Sequence, residues 1–108
     1  MNDHFRDRGW LDLTYAFGCY LRIPGVCEGG TAGEPSHSNQ PRHGKGGSIK
    51  AHDCFVVPAC RSCHREFDQG RSMTRDEKRD LWESAFFEYL PQAMKALRES
   101  MGPWRRSA

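Results

Sequence analysis

The sequence predicts a small α+β domain, with short strands and one short helix set among loops and a longer amphipathic helix after them. Three observations carry that expectation. Four cysteines stand in two pairs, Cys19 with Cys27 and Cys60 with Cys63. The β-favouring run Cys54-Phe-Val-Val57 is stopped by Pro58, and Arg61 to Phe67 then forms a short helix ending before Gly70. Finally, Thr74-Arg-Asp-Glu77 is a capping box that opens an apolar stripe of helical period.

The cysteines matter because of size. At 108 residues with 37% hydrophobic composition, the chain builds one small domain whose core benefits from a staple. Two thiolate pairs offer a tetrahedral cage for a structural Zn²⁺. A disulfide framework fits less well, because five cysteines is an odd number and the start, Met-Asn-Asp-His-Phe-Arg, is polar. A reducing, cytoplasmic setting is therefore expected. No apolar run reaches membrane-spanning length, since Arg22, Pro58 and Pro91 interrupt the candidates. Redox use of Cys60 and Cys63 would want a βαβ context, which does not flank them. Cys54, left over, is either a small buried hydrophobe or a substitute ligand should the eight-residue spacing of Cys19 and Cys27 fail.

In chain order, residues 1–18 read as an N-terminal arm. The near-alternation of Trp10, Leu11, Leu13, Tyr15 and Phe17 suits a short strand or an irregular segment packed on the core. Residues 19–72 form the core unit. Within it, Pro24-Gly25 signals a turn that returns the chain from Cys19 to Cys27, and the Gly-, Ser- and Pro-rich stretch from Glu28 to Lys50 reads as loop with a short strand near Ser36-His-Ser-Asn39. Residues 73–101 are a helical segment starting at residue 75, its core stripe being Leu81, Trp82, Ala85, Phe86, Tyr89 and Leu90; Pro91 opens a second helical piece carrying Met94, Leu97 and Met101. Residues 102–108 read as a loose tail.

The formal net charge of +2 is unevenly spread. From Pro35 to Arg65 there are Arg42, Lys45, Lys50, Arg61 and Arg65 against Asp53 alone, so a polyanion is expected to meet the middle of the chain. Reactive chemistry is expected at the histidines. His37 lies between the cysteine pairs, while His64 follows the last thiolate and shares a helical face with Asp68, four residues on, so that the two could hold a divalent cation together. The bland alternative makes His64 a surface residue and Asp68 a turn former.

Cysteine pair, histidine-bearing loop, Lys50-Ala-His-Asp53 and Cys60-x-x-Cys-His-x-x-x-Asp68 together make the chain resemble the HNH (ββα-metal, His-Me finger) nucleases. It looks most like the small phage and prophage nucleases of the YbcO type, in which Arg-Ile-Pro-Gly-Val-Cys recurs before the loop and Ala-Cys-x-x-Cys-His-x-Glu-x-Asp after it. Here those residues are Arg22 to Cys27 and Ala59 to Asp68. The resemblance covers about residues 19–90. It implies a zinc-stapled ββα-metal (HNH-like) core and a metal-dependent endonuclease that hydrolyses phosphodiester bonds in DNA, in the cytoplasm of a bacterial host. His37 on the first strand is then the general base, and His64 on the helix binds a catalytic Mg²⁺ or Mn²⁺, with Asp68 as a further contact. Asp53, or His52 beside it, falls near the family's central Asn, which holds the loop and orients the base. Arg42, Lys45, Lys50 and Arg61 would grip the phosphate backbone without selecting sequence. A homodimer is compatible with this reading. One departure stands out: many of these nucleases carry an acidic metal ligand immediately before the base, and this chain has Ser36, with Glu34 two residues further back. That departure supports the alternative of a catalytically inactive, zinc-stapled nucleic-acid-binding module.

Overall fold

The computed structural model describes residues 4–30 and 32–101. Its first element is a helix, not a strand: α1 spans Arg8–Leu13 and runs into a single 3-10 turn, Thr14–Ala16. The apolar alternation predicted otherwise, but the segment contains a side chain that starts helices. The Asp7 carboxylate accepts the Trp10 N–H at 3.1 Å, and at the far end the Thr14 hydroxyl donates to the Leu11 carbonyl at 2.9 Å. Over so few residues a two-residue rhythm does not outweigh a capped turn.

Two antiparallel strands follow, β1 (Glu34–His37) and β2 (Val56–Ala59). The strand predicted near residues 36–39 is thus present but begins two residues earlier. Pro58 does not stop the second strand; it lies inside it, paired with Pro35 across the ladder. Both prolines lack an N–H, and facing each other they occupy a position where neither strand needs one. The Pro58 carbonyl points outward and accepts the Tyr20 N–H at 2.8 Å, which ties the first cysteine segment to the sheet. Gly33, just before β1, comes so close to β2 that a Cβ there would sit 2.5 Å from the Pro58 Cβ.

Helix α2 (Arg61–Gln69) leaves β2 through Cys60, whose sulfur accepts the Cys63 N–H at its N-terminus. Helix α3 (Arg75–Met101) begins where the capping box places it: the Thr74 hydroxyl accepts the Glu77 N–H at 3.0 Å and the Glu77 carboxylate accepts the Thr74 N–H at 2.8 Å. It does not break at Pro91, which lies within one continuous helix. A proline inside a helix forfeits one backbone bond, a loss that packing on both sides outweighs here. Trp82, Tyr89 and Ala93 are wholly buried and Ala85 nearly so. The stripe fails beyond them, because Met94 and Leu97 remain 45% and 37% exposed while Ala93 packs instead. The Met101 side chain and residues 102–108 lie outside the described residues.

The core is one cluster in which Leu21, Ile23, Val57, Phe67 and Trp82 surround the cysteines. The Trp82 indole N–H donates to the Ser36 carbonyl at 3.1 Å, so α3 is locked to β1. The result is a β-β-α unit packed around the cysteines and backed by a long helix. Among the described residues, no helix is long and apolar enough to cross a membrane.

Candidate functional site

The sulfurs of Cys19, Cys27, Cys60 and Cys63 all lie within 4.8 Å of one another. The long first spacing closes because Ile23 starts a turn: its carbonyl accepts the N–H groups of Val26 and Cys27 at 3.0 and 2.9 Å, with Gly25 in the left-handed region at φ +76°. Every sulfur also receives a backbone N–H. Arg22 donates to Cys19, Gly29 to Cys27, Glu28 and Cys63 to Cys60, and Ile23 to Cys63, at 3.3 to 3.5 Å. Arg22 adopts φ +48°, a strained setting for a side-chain-bearing residue, in the turn that aims its N–H at Cys19.

Backbone N–H donors on all four sulfurs would stabilise thiolates, the form in which the cluster could hold a metal ion. Burial raises the Cys63 thiol, and Cys27 is raised as well, the Gly29 N–H being outweighed by burial and by Cys19; Cys60 is lowered, because the N–H groups of Glu28 and Cys63 outweigh its own burial. Four adjacent thiolates need a cation to balance them, and soft sulfur donors in a tetrahedral set can hold a metal ion such as zinc. Cys54 stands outside the group, before β2, half-buried and with its thiol raised by burial. It is not a substitute ligand.

His37 and His64 open onto one cleft of about 330 Å³, whose walls also carry Lys45, Lys50, Asp68 and Lys78. The strand–turn–helix connection through Cys60 brings them together: His37 ends β1, and His64 directly follows Cys63 in the first turn of α2. The His37 Nε2 is 2.9 Å from Asp53 Oδ1. Asp53 is almost fully buried, yet its carboxyl is held below the usual range, because burial, which alone would raise it, is outweighed by the bonds from His37 and the Asp7 N–H. An ionised carboxylate only accepts, so His37 carries its proton on Nε2, and among the described residues no hydrogen bond reaches its Nδ1 lone pair. Burial lowers the His37 pKa against the pull of Asp53, and Lys50 and Arg6 push the same way. That direction favours the neutral ring over the imidazolium. His52 does not orient it: its Nδ1 accepts the Phe5 N–H at 2.9 Å, turned toward the arm.

His64 sits between two carboxylates. Its Nδ1 is 2.7 Å from Glu34 Oε1 and its Nε2 3.3 Å from Asp68 Oδ2. The bond to Asp68 and then that to Glu34 raise its pKa against burial, which favours the imidazolium held between the two acids. The donor set of one imidazole nitrogen and a carboxylate also suits a hard divalent ion, which keeps most of its waters and takes few protein ligands. Only one ring nitrogen can bind it. Asp68 shares the cleft with His37 and Glu34 does not, so the Nε2 and Asp68 side is the side where a cation would sit, and Glu34 would hold Nδ1–H and fix the ring. Ser36, where an acidic ligand is common, is fully buried between two cleft-lining residues, Pro35 and His37.

Of the basic side chains singled out, Lys45 and Lys50 line this cleft, and Arg61 lies in the adjoining hollow with Glu34, His64 and Arg65. Arg42 is elsewhere. It pairs with Glu83 of α3 and donates to the Gln40 side-chain Oε1, beside Arg75 and Arg79, so part of its charge is already compensated. Lys78 is a cleft residue the sequence does not point to, because it lies in the first turn of a helix whose pattern speaks only of core. Arg6 and Asp7, which hold Asp53, escape notice for a simpler reason: they are 46 to 47 residues away from it.

The fold and its two centres thus define a small α+β protein with a four-cysteine cluster able to hold a metal ion and an imidazole-lined cleft. Residues 17–101 match the family model described as "Protein of unknown function (DUF968)", and the chain belongs to that family. No curated protein and no solved structure matches it.

Proposed function

We propose that this protein is a metal-dependent endonuclease of the HNH type, stapled by a structural Zn²⁺ on Cys19, Cys27, Cys60 and Cys63, that hydrolyses phosphodiester bonds in DNA. One observation carries the reading: a buried carboxylate, Asp53, holds a neutral His37 with its free nitrogen available, in the cleft that also contains His64 and Asp68. The motifs shared with the HNH nucleases support it, as does the β-β-α order of the elements that bear them.

His37 Nδ1 takes a proton from water as that water attacks phosphorus, and Asp53 stabilises the imidazolium that results. A divalent cation at His64 and Asp68, Mg²⁺ or Mn²⁺, would neutralise the phosphate and the leaving oxygen. Lys45, Lys50 and Lys78 attract the backbone, and Arg61 and Arg65 extend the basic surface past His64. Nothing in this set reads base edges, so binding is salt-dependent and broad in sequence.

The test is plasmid nicking with Mg²⁺, Mn²⁺ or chelator, using wild type and His37→Ala. Metal-dependent nicking that vanishes in His37→Ala with zinc retained is the expected result; wild-type rates in the mutant would exclude His37 as the base. A second reading, a zinc-stapled module that binds nucleic acid without cutting it, draws on the absence of a carboxylate at position 36. It requires retarded DNA that stays intact under every metal.

A further inference from the structure

The N-terminal segment lies outside the matched family segment, yet it grips the loop that carries Asp53 through a dense set of bonds. Arg6 donates from one guanidinium nitrogen to the Ala51 carbonyl at 2.7 Å and shares its second N–H between the Phe5 carbonyl at 3.2 Å and Asp53 Oδ1 at 3.3 Å, and from the other nitrogen it donates to the Lys50 carbonyl at 3.0 Å. The Asp7 N–H donates to Asp53 Oδ2 at 2.8 Å, and the Phe5 carbonyl accepts the Asp53 N–H at 2.9 Å. The backbone of residues 50–53 is thus fixed together with both oxygens of its carboxylate. The oxygen that Arg6 contacts is the one that receives His37 Nε2–H.

We infer that Arg6 is a positioning residue: through Asp53 it sets the ring orientation and tautomer of His37, so that the arm completes a base the β-β-α unit alone would hold loosely. This rests on the nuclease reading for its consequence in catalysis, but not for its consequence in the ring. A planar cation that spans three backbone carbonyls and a carboxylate oxygen restricts how the Asp53 carboxylate can turn. Without it the carboxylate keeps only the Asp7 N–H as a fixed anchor, and the imidazole can exchange its proton between nitrogens. The side chain of Arg6 is 38% exposed against 5% for Asp53, so its removal opens little core.

The experiment uses full-length, zinc-loaded protein as wild type, Arg6→Gln and Arg6→Lys. Imidazole ¹⁵N shifts above the His37 pKa report the tautomer, and plasmid nicking reports kcat and KM. The wild-type ring should hold its proton on Nε2 alone. Arg6→Gln should show a tautomer mixture and a kcat lower by about tenfold or more, with KM little changed, since misplacing a reacting group costs rate more than binding. Arg6→Lys should restore much of both.

Unchanged tautomer in Arg6→Gln would overturn the inference. So would loss of zinc or unfolding in that variant, because Arg6 would then serve the fold as a whole. If the wild type cuts nothing with any metal, the nuclease reading fails, and the ¹⁵N comparison still decides whether Arg6 sets the ring.

Discussion

Replacing Asp53 by asparagine changes one oxygen for one NH₂ group and isolates what the buried carboxylate does. Three donors converge on its two oxygens: His37 Nε2–H at 2.9 Å and Arg6 at 3.3 Å on Oδ1, and the Asp7 N–H at 2.8 Å on Oδ2. An amide offers one acceptor. With its oxygen toward His37, the NH₂ faces the Asp7 N–H, donor against donor; with its oxygen toward Asp7, the NH₂ meets Arg6 and forces His37 to move its proton to Nδ1. The first orientation leaves a part-buried N–H unsatisfied, and the second removes the lone pair from the cleft. Stability should fall by about 1–3 kcal/mol, and the nicking rate on the order of 10²-fold, as when general-base assistance is lost.

Chemical unfolding of the zinc-loaded proteins and plasmid nicking measure the two effects. The pH dependence has a definite sign. The folded pKa of Asp53 is lowered, so its contribution is fully present above the unfolded carboxylate value of about 4 and is lost as pH falls through the lower folded value. The wild-type advantage over Asp53→Asn should therefore shrink only in acid. A variant equal to wild type in stability and rate at pH 7 would refute the reasoning.

Other expectations follow from the same geometry. Cys63→Ser removes a buried sulfur from the cage, and elemental analysis should fall from one zinc per chain toward none, with loss of cooperative unfolding. NMR titration should place the His37 pKa below the ordinary value of about 6.5, burial being the first cause; a value above it would mean that Asp53 dominates. Thr74→Ala breaks the capping box and should cost about 1 kcal/mol in denaturant unfolding. Pro91→Ala restores an N–H within α3 at an exposed position and should stabilise by about 1–3 kcal/mol; destabilisation would mean that the proline shapes the helix for a contact.

Local chemistry was readable without coordinates. The capping box at Thr74, the Pro24-Gly25 return and the helix after Cys60 are each decided within a few residues, by hydrogen bonds the chain makes to itself. Pairing the four cysteines was readable as well, because thiolates at those positions have few other uses in a small core. Where a local cue competed with packing, the cue lost: Pro58 sits in a strand because Pro35 faces it, and Pro91 sits in a helix because α3 is held elsewhere along its length. The alternation in residues 10–17 misled because so short a pattern fits a strand or a capped turn.

What residue order determined is the donor inventory: four sulfurs, an imidazole ending a short strand, and an imidazole and a carboxylate four residues apart on one helix. Only the tertiary structure decided which groups meet. Spacing along a chain reports neighbours within a turn or a strand, whereas Arg6, Asp7 and Asp53, or Glu34 and His64, become partners through loop closure. That closure depends on the whole core and leaves no local trace.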